Sequence, residues 1–489
     1  MDNSTDLRIL FESPYPLVLV ETRDETRLLA MIRAEAQRRA TPVWVWSAAS
    51  GLARDGFDPQ YGTRDAQIAL AFVAATTDPG VFVFADAHHA LTDPVAVRVV
   101  KEAAQTAGPG RTLVLTAPHH IIPDELDGIA VAWRHQPPNA DELASLVGRT
   151  IARLGTRGVP VTLTASDERG LIASLQGTTM AAAERLIQRA VLEDGKLGPD
   201  DIGFVRRQKF ASLGNDGVLE MIESEQRTLD AVGGLDGLKN WLRQRGATVG
   251  DDRAAALGID APRGVLLTGI PGCGKSFISK TLAATWGLPL LLLDPARLYR
   301  KYVGESEQRL ESALDTADAM APAVLWIDEI EKGFASSGDG DGGVSTRVLG
   351  TFLRWLQDRP DGVFVIATAN DVTALPLELL RKGRFDEIFF VDLPEDEARS
   401  AIFSSQLKRR GHDPRRFDLA KLVELSDGFS GAEIEAVVVG ALYRAFGSDT
   451  EPTTEELIAE IEATIPLSVS RAEDVHELRR WADGRAVRA

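Results

Sequence analysis

The sequence predicts an α/β protein with one plan used twice: a mostly parallel sheet flanked by helices, followed by a smaller helical piece. Three observations carry this. Short apolar runs alternate with amphipathic stretches in both halves, as strands and helices do in a parallel sheet covered on both faces. In each half the strand-like runs then stop and only helical periodicity continues. Finally, 489 residues exceed one ordinary core, so length alone predicts two or three domains.

In chain order, "PLVLVE", "PVWVWS", "VFVFAD" and "TLVLTA" read as buried strands, with helices such as 25–39 and 95–107 between them. From about Asn139 helical patterns take over, in "DELASLVGRTIARL" and "TMAAAERLIQRAVLED", so 1–205 reads as a sheet module with its own helical subdomain. The polar stretch 206–228 is expected to be a linker containing one short helix. "GVLLTG", "LPLLLLD", "AVLWID" and "GVFVIATA" then supply the strands of a second sheet domain, 229–394. The remainder, 395–489, reads as helical to its end, a lid subdomain with C-terminal helices.

Composition narrows the partners. With 54 Lys+Arg against 72 Asp+Glu the net charge is −18, a field that repels phosphate backbones and anionic membrane surfaces and disfavours nucleic-acid binding. The single cysteine, Cys273, excludes an intramolecular disulfide and a multi-cysteine zinc site, and suits a reducing cytoplasm. There is no secretory pattern at the start and no apolar run of about 18 residues, so a cytoplasmic protein without a membrane span is expected.

The chemistry begins at "GIPGCGKS", which fits G-x-x-x-x-G-K-[ST] between a strand and a helix. Gly269, Pro271, Gly272, Cys273 and Gly274 form a phosphate loop whose glycines let consecutive backbone N–H groups turn inward, and the helix N-terminus adds its positive dipole end. Lys275 is placed to neutralise the β and γ phosphates and Ser276 to hold magnesium, so the expected ligands are ATP and Mg2+. Cys273 reads as a small residue tolerated in the loop rather than a redox switch. Asp328 and Glu329 end the next strand but one. Asp328 is expected to order magnesium through its water shell while Glu329 polarises the attacking water, since phosphoryl transfer needs mostly positioning and charge stabilisation. Asn370, at the end of "GVFVIATAN", is expected to meet the γ phosphate and that water from the neighbouring strand.

The first half lacks these parts. "PLVLVE" runs into "TRDETRLL", with no glycine and no lysine, and Asp24 and Glu25 repel an anion there. Asp86, read as the counterpart of Asp328, is followed by Ala87 instead of glutamate. The module is therefore expected to keep a fold without hydrolysis. His88 and His89 point differently along the chain and have no other His or Cys close by in sequence, so no metal site is expected.

From about Leu229 onward these residues resemble the AAA clade of AAA+ ATPases. The resemblance implies that Ala231, Val232 and Gly233 in "AVGGLDGLKNWL" pack against adenine, and that Gly431 and Ala432 in "GFSGAEIEAV" let the lid approach the nucleotide. Tyr302 and Val303 in "KYVGESEQRL" look like a client-contacting pore loop, and Arg381 and Arg384 in "LLRKGRFDEIFF" like arginine fingers reaching a neighbour's γ phosphate. "SSGDGDGGVSTR" reads as a second loop, facing the pore or standing as a surface insertion. Ile270, where proline is usual, and "LPLELL", which lacks an aspartate, depart from the commonest form. Together with "DEIEKGF" and a degenerate AAA-like module in front, they resemble the bacterial and plastid subgroup named after a conserved hypothetical chloroplast reading frame. A finger acting in trans implies a head-to-tail ring, with six subunits in this family. The resemblance implies an ATP-hydrolysing motor that remodels or threads a protein client docked, directly or through an adaptor, on the N-terminal module. The alternatives are a nucleotide-gated assembly scaffold and a monomeric P-loop kinase.

Overall fold

A computed structural model describes residues 3–13, 15–106, 110–118, 123–213, 217–222, 228–246, 248–249, 254, 257–298, 305–334, 344–359, 362–381, 383–447 and 449–489. The chain divides into two compact units, Met1–Val161 with Thr178–Leu197, and Thr162–Gly177 with Gly198–Ala489.

The first unit holds a six-stranded sheet of β1 (Leu17–Glu21), β2 (Val43–Ser47), β3 (Gly51–Arg54), β4 (Gly80–Phe84), β5 (Arg111–Ala117) and β6 (Ala130–Arg134), in the order β3-β2-β4-β5-β1-β6. All pairs are parallel except β2 with β3. Successive side chains serve two cores, as the two-residue period of a strand requires. Leu17 and Leu19 pack with Phe82, Phe84 and the helices Ala66–Ala75 and Pro94–Gln105, whereas Val18 and Val20 pack with Val81, Val83 and the helix Glu25–Arg38. Covering on both faces explains why these strands read as unbroken apolar runs. β3 and β6 were not foreseen, because both are short edge strands and β6 is nowhere fully buried.

The second unit holds seven strands: β7 (Leu219–Ile222), β8 (Gly264–Gly269), β9 (Leu290–Leu293), β10 (Ala323–Ile327), β11 (Val363–Ala369), β12 (Glu387–Val391) and β13 (Val487–Arg488), in the order β13-β12-β8-β11-β10-β9-β7. Leaving out β3 in one sheet and β7 and β13 in the other, both run fifth, first, fourth, third, second strand. The expected duplication is thus present in topology.

Two expectations are corrected. The stretch 206–228 is not simply a linker: the helix Asp200–Ser212 runs through its first part with Lys209 buried, and β7 pairs antiparallel with β9, burying Leu219. Nor is 395–489 helical throughout, since β13 adds parallel to β12 at the sheet edge. Between these points the helices Asp396–Arg409, Leu419–Leu425, Gly431–Gly447 and Thr454–Ala463 surround a core of Phe403, Leu422, Val437, Val438 and Leu457. Among the described residues no helix is long and apolar enough to cross a membrane.

Candidate nucleotide site

β8 ends at Gly269, and five residues separate it from the helix Lys275–Trp286. The loop between them needs glycine at both of its tight points. Gly269 has φ +133° and a Cβ there would lie 2.1 Å from the Val391 carbonyl oxygen. Gly272 has φ +77° and a Cβ there would press on Ser430 Oγ at 3.0 Å and Ala432 Cβ at 3.1 Å. The Ala432 N–H donates to the Gly272 carbonyl at 3.0 Å, so the lid's Gly431–Ala432 segment is bonded to the loop itself.

Lys275 is buried, and its ammonium donates to the carbonyls of Gly269 at 2.8 Å and Ile270 at 3.0 Å. Desolvation pulls its pKa down to about 8 against the opposing attraction of Cys273, Glu331, Asp328 and Glu329. Ser276 Oγ donates to Asp328 Oδ1 at 2.9 Å, and Thr368 Oγ1 donates to the same oxygen at 2.6 Å. Thr368 also accepts the Glu329 N–H at 2.9 Å. Asn370 Nδ2 donates to Glu329 Oε1 at 2.9 Å. The structure thus gathers Lys275, Ser276, Asp328, Glu329 and Asn370 at one end of β8, β10 and β11. Sequence reasoning missed Thr368, although a hydroxyl inside the apolar run "GVFVIATAN" was the available signal.

Burial pushes the Cys273 thiol up to about 12, so it stays protonated near neutral pH. Ile270 has a packing reason for replacing proline: it is fully buried in a cluster with Phe390 and with Val475 and Ala482 of the helix Ala472–Ala482. In the segment expected to meet adenine, beside Ala231, Val232 is buried, and a Cβ on Gly233 would lie 3.0 Å from the Ala398 carbonyl oxygen, which puts that segment against the first lid helix.

The two arginines differ. Arg381 is exposed, lines a cleft of about 780 Å3, and its guanidinium makes no hydrogen bond or ion pair among the described residues. Arg384 is held inside its own subunit, donating to the Leu353 carbonyl at 2.7 Å and Gln357 Oε1 at 2.9 Å. Tyr302 and Val303 lie outside the described residues, as does 335–343, which takes in most of the second expected loop.

The corresponding place in the first unit is closed by its own side chains. Only three residues, 22–24, separate β1 from the helix Glu25–Arg38, too few to cradle a phosphate. The Asp24 carboxylate takes the anion's place at the helix N-terminus, accepting from Arg27 N at 3.3 Å and Met180 N at 3.1 Å. Arg27 donates to Glu142 along one guanidinium edge, from Nη2 at 2.7 Å and Nε at 3.1 Å, and from Nη1 to His135 Nε2 at 3.0 Å. A guanidinium can only donate, so Nε2 is the acceptor and the imidazole proton sits on Nδ1, which donates to Thr22 Oγ1 at 2.9 Å. Burial, and then the Arg27 charge, pull the His135 pKa down to about 4. The alignment of Asp86 with Asp328 is corrected here. Ala85 takes the position of Asp328, and Asp86 takes that of Glu329, each being the second residue past its strand with φ near +50°. Among the described residues no group of three or more His, Cys, Asp or Glu is arranged to hold a metal ion.

Comparison with known proteins agrees with this geometry. Residues 265–393 match the ATPase family associated with various cellular activities (AAA), and 416–459 match the AAA+ lid domain. Residues 3–135 and 141–216 match the N-terminal and second domains of SpoVK-like AAA ATPases. The AAA domain-containing protein ycf46 of Trieres chinensis is 33% identical over 100% of this chain and 98% of its own length. The ycf46 protein of Pyropia yezoensis is 32% identical over 100% of this chain and 99% of its own length. A proteasome-activating nucleotidase of Saccharolobus solfataricus is 30% identical over 53% of this chain and 68% of its own length. A full-length match at this identity, together with an AAA domain on the phosphate loop, shows that the chain belongs to the ycf46 group of AAA+ ATPases.

Proposed function

We propose that the chain is one subunit of an ATP-driven ring, six-membered as is common in its family, that remodels or threads a protein client. The observation that carries the ring is Arg381: an exposed guanidinium without a partner among the described residues, at the end of the short helix Leu377–Leu380, is free to serve an adjoining subunit. Arg384, tied to Leu353 and Gln357, then sets the backbone that presents Arg381 rather than acting as a second finger.

Within one subunit the side chains fit a magnesium nucleotide. Lys275 would exchange its two loop carbonyls for phosphate oxygens, Ser276 would hold magnesium, and Asp328, which accepts the Ser276 hydroxyl at 2.9 Å, would order the ion through its water shell. The ion, when bound, neutralises charge on the transferring phosphoryl group. Glu329 accepts a proton from the attacking water while Asn370 orients that water. Gly431 and Ala432 couple the lid to the loop, so a change at the nucleotide moves the lid. Tyr302 and Val303 grip the client. The resemblance of half the chain to a proteasome-activating nucleotidase supports a protein as client, and the sealed N-terminal module supports docking rather than catalysis there.

The test mixes two inactive subunits. Lys275→Ala subunits cannot hold nucleotide but still carry Arg381; Arg381→Ala subunits hold nucleotide but offer no finger. Mixed assemblies should recover turnover that neither variant has alone. Failure of the mixture to recover any activity, with mixed rings demonstrated by pull-down, would contradict a finger acting in trans.

A further inference from the structure

Glu329 and Asn370 do not stand alone. The residues that follow Glu329 begin a one-turn helix, Glu331–Phe334, and its first two side chains each hold one member of the pair. Glu331 Oε1 accepts the backbone N–H of Asn370 at 2.9 Å and that of Asp371 at 3.4 Å. The Lys332 ammonium forms an ion pair with Glu329 Oε2, while Asn370 Nδ2 occupies Oε1. The four residues therefore close a bracket: Glu331 fixes the Asn370 backbone, Asn370 and Lys332 take one carboxylate oxygen of Glu329 each, and Glu331 and Lys332 are neighbours on the same turn.

We propose that Glu331 and Lys332 are positioning residues for hydrolysis, holding the Glu329 carboxylate and the Asn370 amide in their 2.9 Å contact so that a water lying against the pair meets both its base and its orienting amide. The inference rests on the reading of Glu329 as general base. It explains a feature that stability alone does not. Glu331 keeps a buried Oε2 without a hydrogen-bond partner among the described residues, the cost of a carboxylate whose other oxygen serves the Asn370 loop. Lys332 is 60% exposed, and a pair so open to solvent adds little to folding, so its removal tests positioning without unfolding the site.

Steady-state ATP turnover of the full chain tests this. Lys332→Met should lower kcat by about three- to ten-fold, with KM for ATP within about two-fold and Tm unchanged, and Lys332→Arg should recover most of the loss. Glu331→Ala should lower kcat by about ten-fold or more, and Glu331→Gln, which keeps the acceptor oxygen, should recover most of it. Adding Lys332→Met to Glu329→Gln should cause no further loss, because the lysine acts through the glutamate. An unchanged or raised kcat in Lys332→Met and an unchanged kcat in Glu331→Ala would overturn the inference, as would a change confined to KM. Glu329→Gln alone separates the two levels. If it keeps full turnover, the general-base reading falls and the bracket with it; if it is inactive while Lys332→Met and Glu331→Ala are unimpaired, the bracket alone falls.

Discussion

Asp86 and Glu329 occupy the same backbone position in their respective sheets, each two residues past its strand, with φ of 51° and 50°. A left-handed residue with a side chain costs about 1 kcal/mol, so the first unit has kept the turn that an ATPase site needs after losing the groups that use it. Where the second unit has Gly274, Lys275 and Asp328, the first has Asp24, Glu25 and Ala85. Burial, and then the nearby Asp86, raise the Glu25 pKa, so both disfavour a negative charge at the position where the second unit has the cation Lys275.

One nucleotide per chain is the first consequence. Calorimetric titration of the full-length protein with ADP should give a stoichiometry near one, and Lys275→Ala should abolish it. Residual binding in that variant would mean that the first unit still holds a nucleotide.

Asp24 should matter for folding instead. Its carboxylate caps a helix and accepts the Met180 N–H, so Asp24→Ala should destabilise the first unit by about 2 kcal/mol, a cap lost and a half-buried donor stranded. Urea unfolding followed through the tryptophans of β2 and β6 reads this out, with ATP turnover in the second unit as an internal control.

His135 sets a pH dependence whose sign follows from its neutral, buried form. Its folded pKa of about 4 lies below the 6.5 of an unfolded histidine, so between those values the unfolded chain binds more protons. Stability of the first unit is then complete above pH 6.5 and falls as pH drops toward 4, by roughly 3 kcal/mol in all. His135→Gln should flatten that part of the pH–stability curve.

The phosphate-loop cysteine should be dispensable and slow to react. With its thiol near pKa 12, Cys273 should resist iodoacetamide at pH 8, and Cys273→Ser should leave turnover within about two-fold. Gly272→Ala should behave differently, because a methyl group there presses on Ser430 and Ala432 in a left-handed turn. Nucleotide affinity should fall at least about ten-fold while far-UV circular dichroism is unchanged.

Much of this was legible in the chain because the relevant signals are local. "GIPGCGKS", "VLWIDE" and "GVFVIATAN" each put a polar group at the end of a buried parallel strand, and the structure brings Lys275, Asp328, Glu329 and Asn370 together as those strand ends require. What could not be read depends on contacts distant in sequence. β7 is an edge strand of four residues whose pairing with β9 is not visible in its own pattern, and β13 has only two residues. The closure of the first unit needs Asp24 to meet Met180 across 156 positions and Arg27 to meet Glu142 across 115. The difference between Arg381 and Arg384 likewise rests on Leu353 and Gln357, which no motif names.

The account depends most on a hydrolytic site that is incomplete within one chain. Turnover per chain, measured over a dilution series with the monomer fraction followed by sedimentation velocity, tests it most directly. Activity should fall in proportion as assemblies dissociate, and Arg381→Ala should be inactive at every concentration. Undiminished turnover in a preparation shown to be monomeric would contradict it.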